Sequence, residues 1–188
     1  TNTSKLREFV DELKRLKVEV VRPNINECYD DFRTFENKIL YGLGAIKNVG
    51  SEAVSNLVKD REKNGKFKSL LDFIKRVDPK DINKLQLEGL VKSGAFDQLE
   101  KNRKGIFDLI PKMIQINKNF NEDKTNKQSN LFEDSDSTNN EYLKLTSSNK
   151  WDKKELLSEE FKSLGFYISD HPLNNYKNVF SQLNIKPY

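Results

Sequence analysis

The stretch Ile46 to Val58, IKNVGSEAVSNLV, decides how this chain is read. Ile46 and Lys47 lead into the turn Asn48-Val49-Gly50, and Ser51 opens a helical pattern carrying Ala53, Val54, Leu57 and Val58. Spacings of three and four put those apolar side chains, with Val49, on one stripe of a helix that should end near Asn64-Gly65. The first amides of such a helix have no acceptor within it, and the helix dipole adds partial positive charge there. An anion is therefore favoured at that end, and a backbone phosphate fits without any base being read. Asn48 tolerates a left-handed backbone, Gly50 permits close approach, and Lys47 and the Ser51 hydroxyl supply further donors. An ordinary connection between two helices has the same spacing, so the pattern by itself leaves both readings open.

Helix, glycine turn and helix make a helix-hairpin-helix, and a second candidate follows downstream. Asn83 with Gln86 three residues later resembles a capping box opening a helix over Lys84 to Lys92. Lys92, Ser93 and Gly94 then form a turn, before a further helix that Asn102 caps. Two such turns side by side would grip successive phosphates of a duplex; taken alone, the second reads more readily as a plain helix C-cap. Over residues 44–112, lysines and arginines outnumber acidic residues by about fifteen to ten. That excess suits phosphate contact and suits a solvated face too.

Upstream, Leu6, Phe9, Val10, Leu13 and Leu16 predict a helix over residues 4–16 with an apolar stripe. Val18, Val20 and Val21 alternate as a short strand that ends at Arg22-Pro23. Phe32 to Phe35 and Ile39 to Tyr41 read as strands of a hairpin about Glu36-Asn37. Downstream, Phe67, Leu70, Leu71, Phe73 and Ile74 predict a short buried helix. Ile106, Phe107, Ile110, Met113 and Ile114 predict another, which Pro111 should kink or interrupt. Residues 117–150 are rich in Asn, Lys, Asp, Ser and Thr and read as a flexible linker. Asp152 with Glu155 starts a last helix, with Leu156, Leu157, Phe161 and Leu164 on its buried face and Gly165 at its end.

Within the linker, Gln128-Ser129-Asn130-Leu131-Phe132 places two adjacent large apolar residues in polar chain. Burying each is worth about 1.5–3 kcal/mol, enough for a weak to moderate docking peptide, and the Gln128 amide adds orientation. Folding back onto the domain is the alternative.

Composition sets outer limits. Hydrophobic residues are 35% and charged residues 33% of 188, the net charge is +4 and the mean hydropathy is −0.79. Such a chain has a modest core and unstructured length. One cysteine, Cys28, excludes an internal disulfide and fits a reducing compartment such as the cytoplasm. One Cys and one His, His171, cannot assemble a structural zinc site, and a lone His is a structural residue by default. No apolar run approaches a membrane span. The first residue is Thr1 and the only methionine is Met113, which reads as a piece of a longer protein.

Taken in order, ILYGLGAIKNVGSEAV, FKSLLDFIKRVD, NKLQLEGLVKSGAFDQL, QSNLF and LGFYISDHPLNNY resemble the alpha subunit of bacterial replicative DNA polymerase III, from about Leu6 to Tyr176. The resemblance implies a mainly α chain: a tandem helix-hairpin-helix domain with a small N-terminal α/β segment, a β-hairpin, from the fingers. It implies the end of the fingers over residues 1–41 and the DNA-binding region over 42–116. The linker with its peptide would occupy 117–150, and 151–188 would lead into an oligonucleotide-binding fold. It implies DNA contact at Lys47, Asn48, Val49, Gly50 and Ser51, and at Lys92, Ser93 and Gly94. Asn48 departs from the glycine the family usually has there. Gln128, Ser129, Asn130, Leu131 and Phe132 would dock on the sliding clamp, with Gln128, Leu131 and Phe132 as anchors. The parent would be a DNA-directed DNA polymerase using Mg at carboxylates of its palm, upstream of Thr1. This piece would hold no cofactor and no catalytic residue, and its partners would be duplex DNA, the clamp and other replicase subunits. Two other classes compete: a helix-hairpin-helix module of a repair nuclease or ligase, whose parent lacks a palm, and a purely structural interaction domain, which would not bind DNA at low salt.

Overall fold

Short apolar periods separated by caps and glycines build a chain of brief elements. The computed structural model describes residues 3–125 and 149–183. Helix α1 (Thr3–Arg15) packs on strand β1 (Glu19–Val21). Strands β2 (Arg33–Phe35) and β3 (Lys38–Leu40) form the expected hairpin, with Phe35 opposite Lys38, so Glu36 and Asn37 are its two-residue loop. Glu36 takes φ 52° there, as a tight hairpin turn requires. The sheet order is β1-β3-β2, β1 running parallel to β3.

Helices α2 (Ser51–Asn64), α3 (Leu70–Arg76), α4 (Lys84–Ser93) and α5 (Arg103–Thr125) follow. After the undescribed residues come α6 (Lys153–Leu164), a 3-10 turn (Pro172–Tyr176) and α7 (Lys177–Gln182). Caps set these ends. The Ser69 side chain accepts from Asp72 N–H, and both Asn83–Gln86 and Asp152–Glu155 close as full capping boxes. Gly94 and Gly165 end α4 and α6 in left-handed geometry, where a side chain would be strained.

One apolar core joins these parts. Phe67, Phe73 and Phe96 stack edge to face with centroids 5.2 and 5.0 Å apart, beside Leu87, Leu90, Ile106, Ile110 and Met113. Val10, Ile25, Cys28 and Tyr41 belong to the same core, so the α/β segment is not a separate layer. Asn26 stitches it in: its Nδ2 donates to Phe67 O (2.9 Å) while its Oδ1 accepts from Phe67 N–H (2.8 Å). Ile25 N–H donates to Ala95 O at 2.9 Å, and Arg61 donates to the carbonyls of Ile25 and Cys28. Burial pushes the Cys28 thiol up to about 11, leaving it an inert core residue.

Two expectations change. Phe9 and Leu16 of the predicted apolar stripe are exposed, and among the described side chains of α1 Val10 is the one that enters the core; a sheet of three-residue strands offers α1 little surface to cover. Helix α5 runs through Pro111 and past residue 116 to Thr125. Pro111 lies on its exposed face, where water can satisfy the carbonyl the proline leaves free. Asn117, 1% exposed, donates to Ile74 O (2.7 Å) and Val77 O (2.8 Å) and pins the distal half of α5 to the end of α3.

Candidate nucleic-acid interface

The first turn is built from an anchored interior and an open rim. Its leading arm is a single 3-10 turn, Leu43–Ala45, capped by Ile46, and not a full helix. Ile46 and Val49 are 2% and 7% exposed, so they hold the turn in the core. Lys47, Asn48, Gly50 and Ser51 remain exposed. Asn48 has φ 66°, the left-handed geometry anticipated for it. Gly50 is the N-cap of α2 at φ −77° and no side chain caps that end; the helix ladder begins with Val54 N–H to Gly50 O at 3.2 Å. The preceding amides of the first turn are thus left for solvent or a ligand. Glu52 sits in the same first turn and offsets part of the positive potential.

Two elements brace the turn from behind. Lys47 N–H donates to Ser163 O, at the end of α6, at 2.9 Å. Gly89 of α4 lies so close that a Cβ there would stand 2.7 Å from Lys47 O and 3.0 Å from Val49 Cγ2. The rim therefore rests on a fixed base. Gly50 is the opposite case. Its φ suits any residue, and a Cβ there would meet only Gln86 Nε2, at 3.6 Å. Nothing in the described residues requires glycine at 50.

Lys92, Ser93 and Gly94 are placed differently, and take the plain helix C-cap geometry that the sequence offered as the alternative. Gly94 is the left-handed C-cap of α4, its N–H already donated to Leu90 O and Val91 O, while Ala95 N–H returns to Leu90 O. Ser93 is 1% exposed and its hydroxyl donates to Leu90 O. Lys92 pairs with Glu88 (3.6 Å) and Glu159 (3.3 Å) and lies over the Phe107 ring. Against Gly94 lies the guanidinium of Arg103, which forks onto Asp97 at 2.8 and 2.6 Å, donates to Lys92 O and approaches Glu160 at 3.5 Å. Burial disfavours the Arg103 cation, but Asp97 and Glu160 outweigh that and raise its pKa above the ordinary value. The next helix starts only at Arg103, so Gly94 opens no helix.

The peptide Gln128, Ser129, Asn130, Leu131 and Phe132 lies outside the described residues. His171 packs edge to face on Tyr167, and its Nδ1 accepts from Leu173 N–H at 3.2 Å, a turn-forming role. Among the described residues no group of three or more His, Cys, Asp or Glu is placed to hold a metal ion, and no helix is long and apolar enough to cross a membrane. Residues missed by sequence reasoning are Gln86, Gly89 and Ser163, which reach the first turn from distant elements, and the Arg103–Glu160 pair. The capping box around Gln86 was readable, but not its closeness to Gly50.

The braced turn opening α2 lies within residues 17–106, which match the family model of the helix-hairpin-helix motif. Over nearly its whole length the chain is similar to a part of DNA polymerase III alpha subunits. It is similar to the DNA polymerase III subunit alpha of Borreliella burgdorferi at 40% identity over 98% of its length. It is also similar to those of Campylobacter jejuni (35%, 100% of the chain) and Caulobacter vibrioides (35%, 93%). It spans 16%, 16% and 15% of those three relatives.

Proposed function

We propose that this chain is a non-catalytic DNA- and clamp-binding part of a bacterial replicative polymerase. The turn Lys47 to Ser51 holds the backbone phosphates of the template–primer duplex, and Gln128 to Phe132 dock on the sliding clamp. The observation that supports this reading is the first turn itself, whose uncapped amides and exposed Lys47 face outward from a base held by Gly89 and Ser163. The reading places phosphate contact at this turn alone, with Lys92 to Gly94 serving the scaffold behind it. Polymerisation and its Mg belong to other parts of the parent, in the cytoplasm, together with the remaining replicase subunits. Linking a weak clamp peptide to a weak phosphate grip raises effective concentration, so each site keeps the other near its partner.

Fluorescence anisotropy with a labelled duplex tests the grip. Affinity should be independent of sequence and fall steeply with salt, and Lys47→Ala should lower the slope of log K against log salt by about 0.9. A flat salt response sinks the phosphate reading. For the peptide, Leu131→Ala with Phe132→Ala should abolish capture by an immobilised clamp with the circular dichroism unchanged. Full capture by that double variant would remove the assignment.

A further inference from the structure

We propose that Gln86, at the start of α4, is an additional phosphate-contacting residue of the Lys47–Ser51 turn. The inference rests on the phosphate reading of that turn. The capping box fixes this side chain: Gln86 Oε1 accepts from Asn83 N–H at 2.8 Å, and Gln86 N–H donates to Asn83 Oδ1 at 2.9 Å. With the oxygen committed, the amide nitrogen has one direction left. It stands 3.6 Å from the position a Cβ would take on Gly50, beside the uncapped amides of α2.

The placement is set by the fold. Gly89, one turn further along α4, lies on Lys47 O and Val49, so one face of α4 runs along the turn and delivers residue 86 to its rim. Gln86 is half-buried, which limits its freedom and the entropy lost on binding. Its Nε2 has no hydrogen bond within the described residues that would compete with a phosphate oxygen. A phosphate held by the α2 amides therefore gains a side-chain donor from a different helix. This also gives Gly50 a reason: a side chain there would stand between the amide of Gln86 and the ligand.

The test uses the whole 188-residue chain and a labelled duplex at low salt. Glutamate also closes a capping box, so Gln86→Glu keeps the helix start while replacing the donor with a negative charge. Duplex affinity should fall about tenfold or more, against less than about twofold for Gln115→Glu, an exposed control on α5. Gln86→Ala should weaken binding roughly threefold with an unchanged salt slope, because a neutral donor releases no counterion. If Lys47→Ala weakens binding but both Gln86 variants match the wild type, Gln86 has no such role and the turn reading stands. If the wild type fails to bind duplex at all, or Lys47→Ala has no effect, the phosphate reading falls and this inference with it.

Discussion

The two glycine turns, Asn48 to Ser51 and Lys92 to Ala95, are similar in sequence and opposite in structure. In each a lysine stands two or three residues before the glycine, and each precedes an apolar helix. At the first, the glycine is a helix N-cap with ordinary φ, and α2 begins at the next residue. At the second, the glycine is a left-handed C-cap, and eight residues separate it from Arg103. A glycine before a helix leaves donors open, whereas a glycine after one closes carbonyls onto its own amides. The first turn is thus free to meet a ligand, while the second is spent on holding α4, α5 and α6 together. A glycine between two helical patterns does not by itself define a binding turn; which helix it caps does.

The largest effect that tests this contrast comes from Arg103. The guanidinium is 5% exposed and faces Glu160, which is fully buried and accepts from Ile168 and Ser169 N–H at 2.9 and 3.0 Å. Arg103→Ala leaves that carboxylate without its cation and should cost about 3–5 kcal/mol in urea unfolding. If the midpoint corresponds to a loss under about 1 kcal/mol, the second turn is not the structural joint described.

Next in size is the pair of glycines. Gly94→Ala meets φ +84° and an Arg103 nitrogen 2.2 Å from the new Cβ, so it should destabilise by about 2–3 kcal/mol. Gly50→Ala meets φ −77° and only an ordinary contact with Gln86 Nε2 at 3.6 Å and should cost under about 1 kcal/mol while lowering duplex affinity several-fold. Thermal unfolding and anisotropy on both variants separate the roles. Equal stability losses, or equal losses of affinity, would erase the distinction between the turns.

What the sequence made legible was local. Asn83 with Gln86 and Asp152 with Glu155 announced their helix starts, and Gly65, Gly94 and Gly165 their ends, because caps act over three or four residues. The first turn and the left-handed Asn48 were equally readable. Contacts between distant residues were not. Nothing near Lys92 shows that Glu159 will meet it, and nothing near Gly94 shows that Arg103 will cover it. Pro111 misled for the same reason. Its local penalty of about 3 kcal/mol is outweighed by burial of Ile106, Ile110 and Met113, each worth about 1.5–3 kcal/mol, and that gain depends on the partner helices. The parallel pairing of β1 with β3 spans the intervening β2, and no short-range signal carries it.

The smallest expected effect concerns acid. The Glu159 carboxyl is half-buried, which by itself raises its pKa, yet Lys162 and Lys92 more than offset this and hold it below its ordinary value of 4.5. A carboxylate depressed in the folded state contributes stability above its unfolded pKa and loses it as pH falls through the folded one. The stability difference between wild type and Glu159→Gln should therefore be constant above about pH 5.5. It should shrink as pH falls below 4.5, and it should stay under about 1 kcal/mol throughout. Duplex binding at the first turn should be equal in the two proteins at neutral pH, because Glu159 pairs with Lys92 and Lys162 at the second turn. If Glu159→Gln changed duplex affinity several-fold while stability stayed level, the second turn would be reaching the DNA surface, and the division of labour between the two glycines would have to be redrawn.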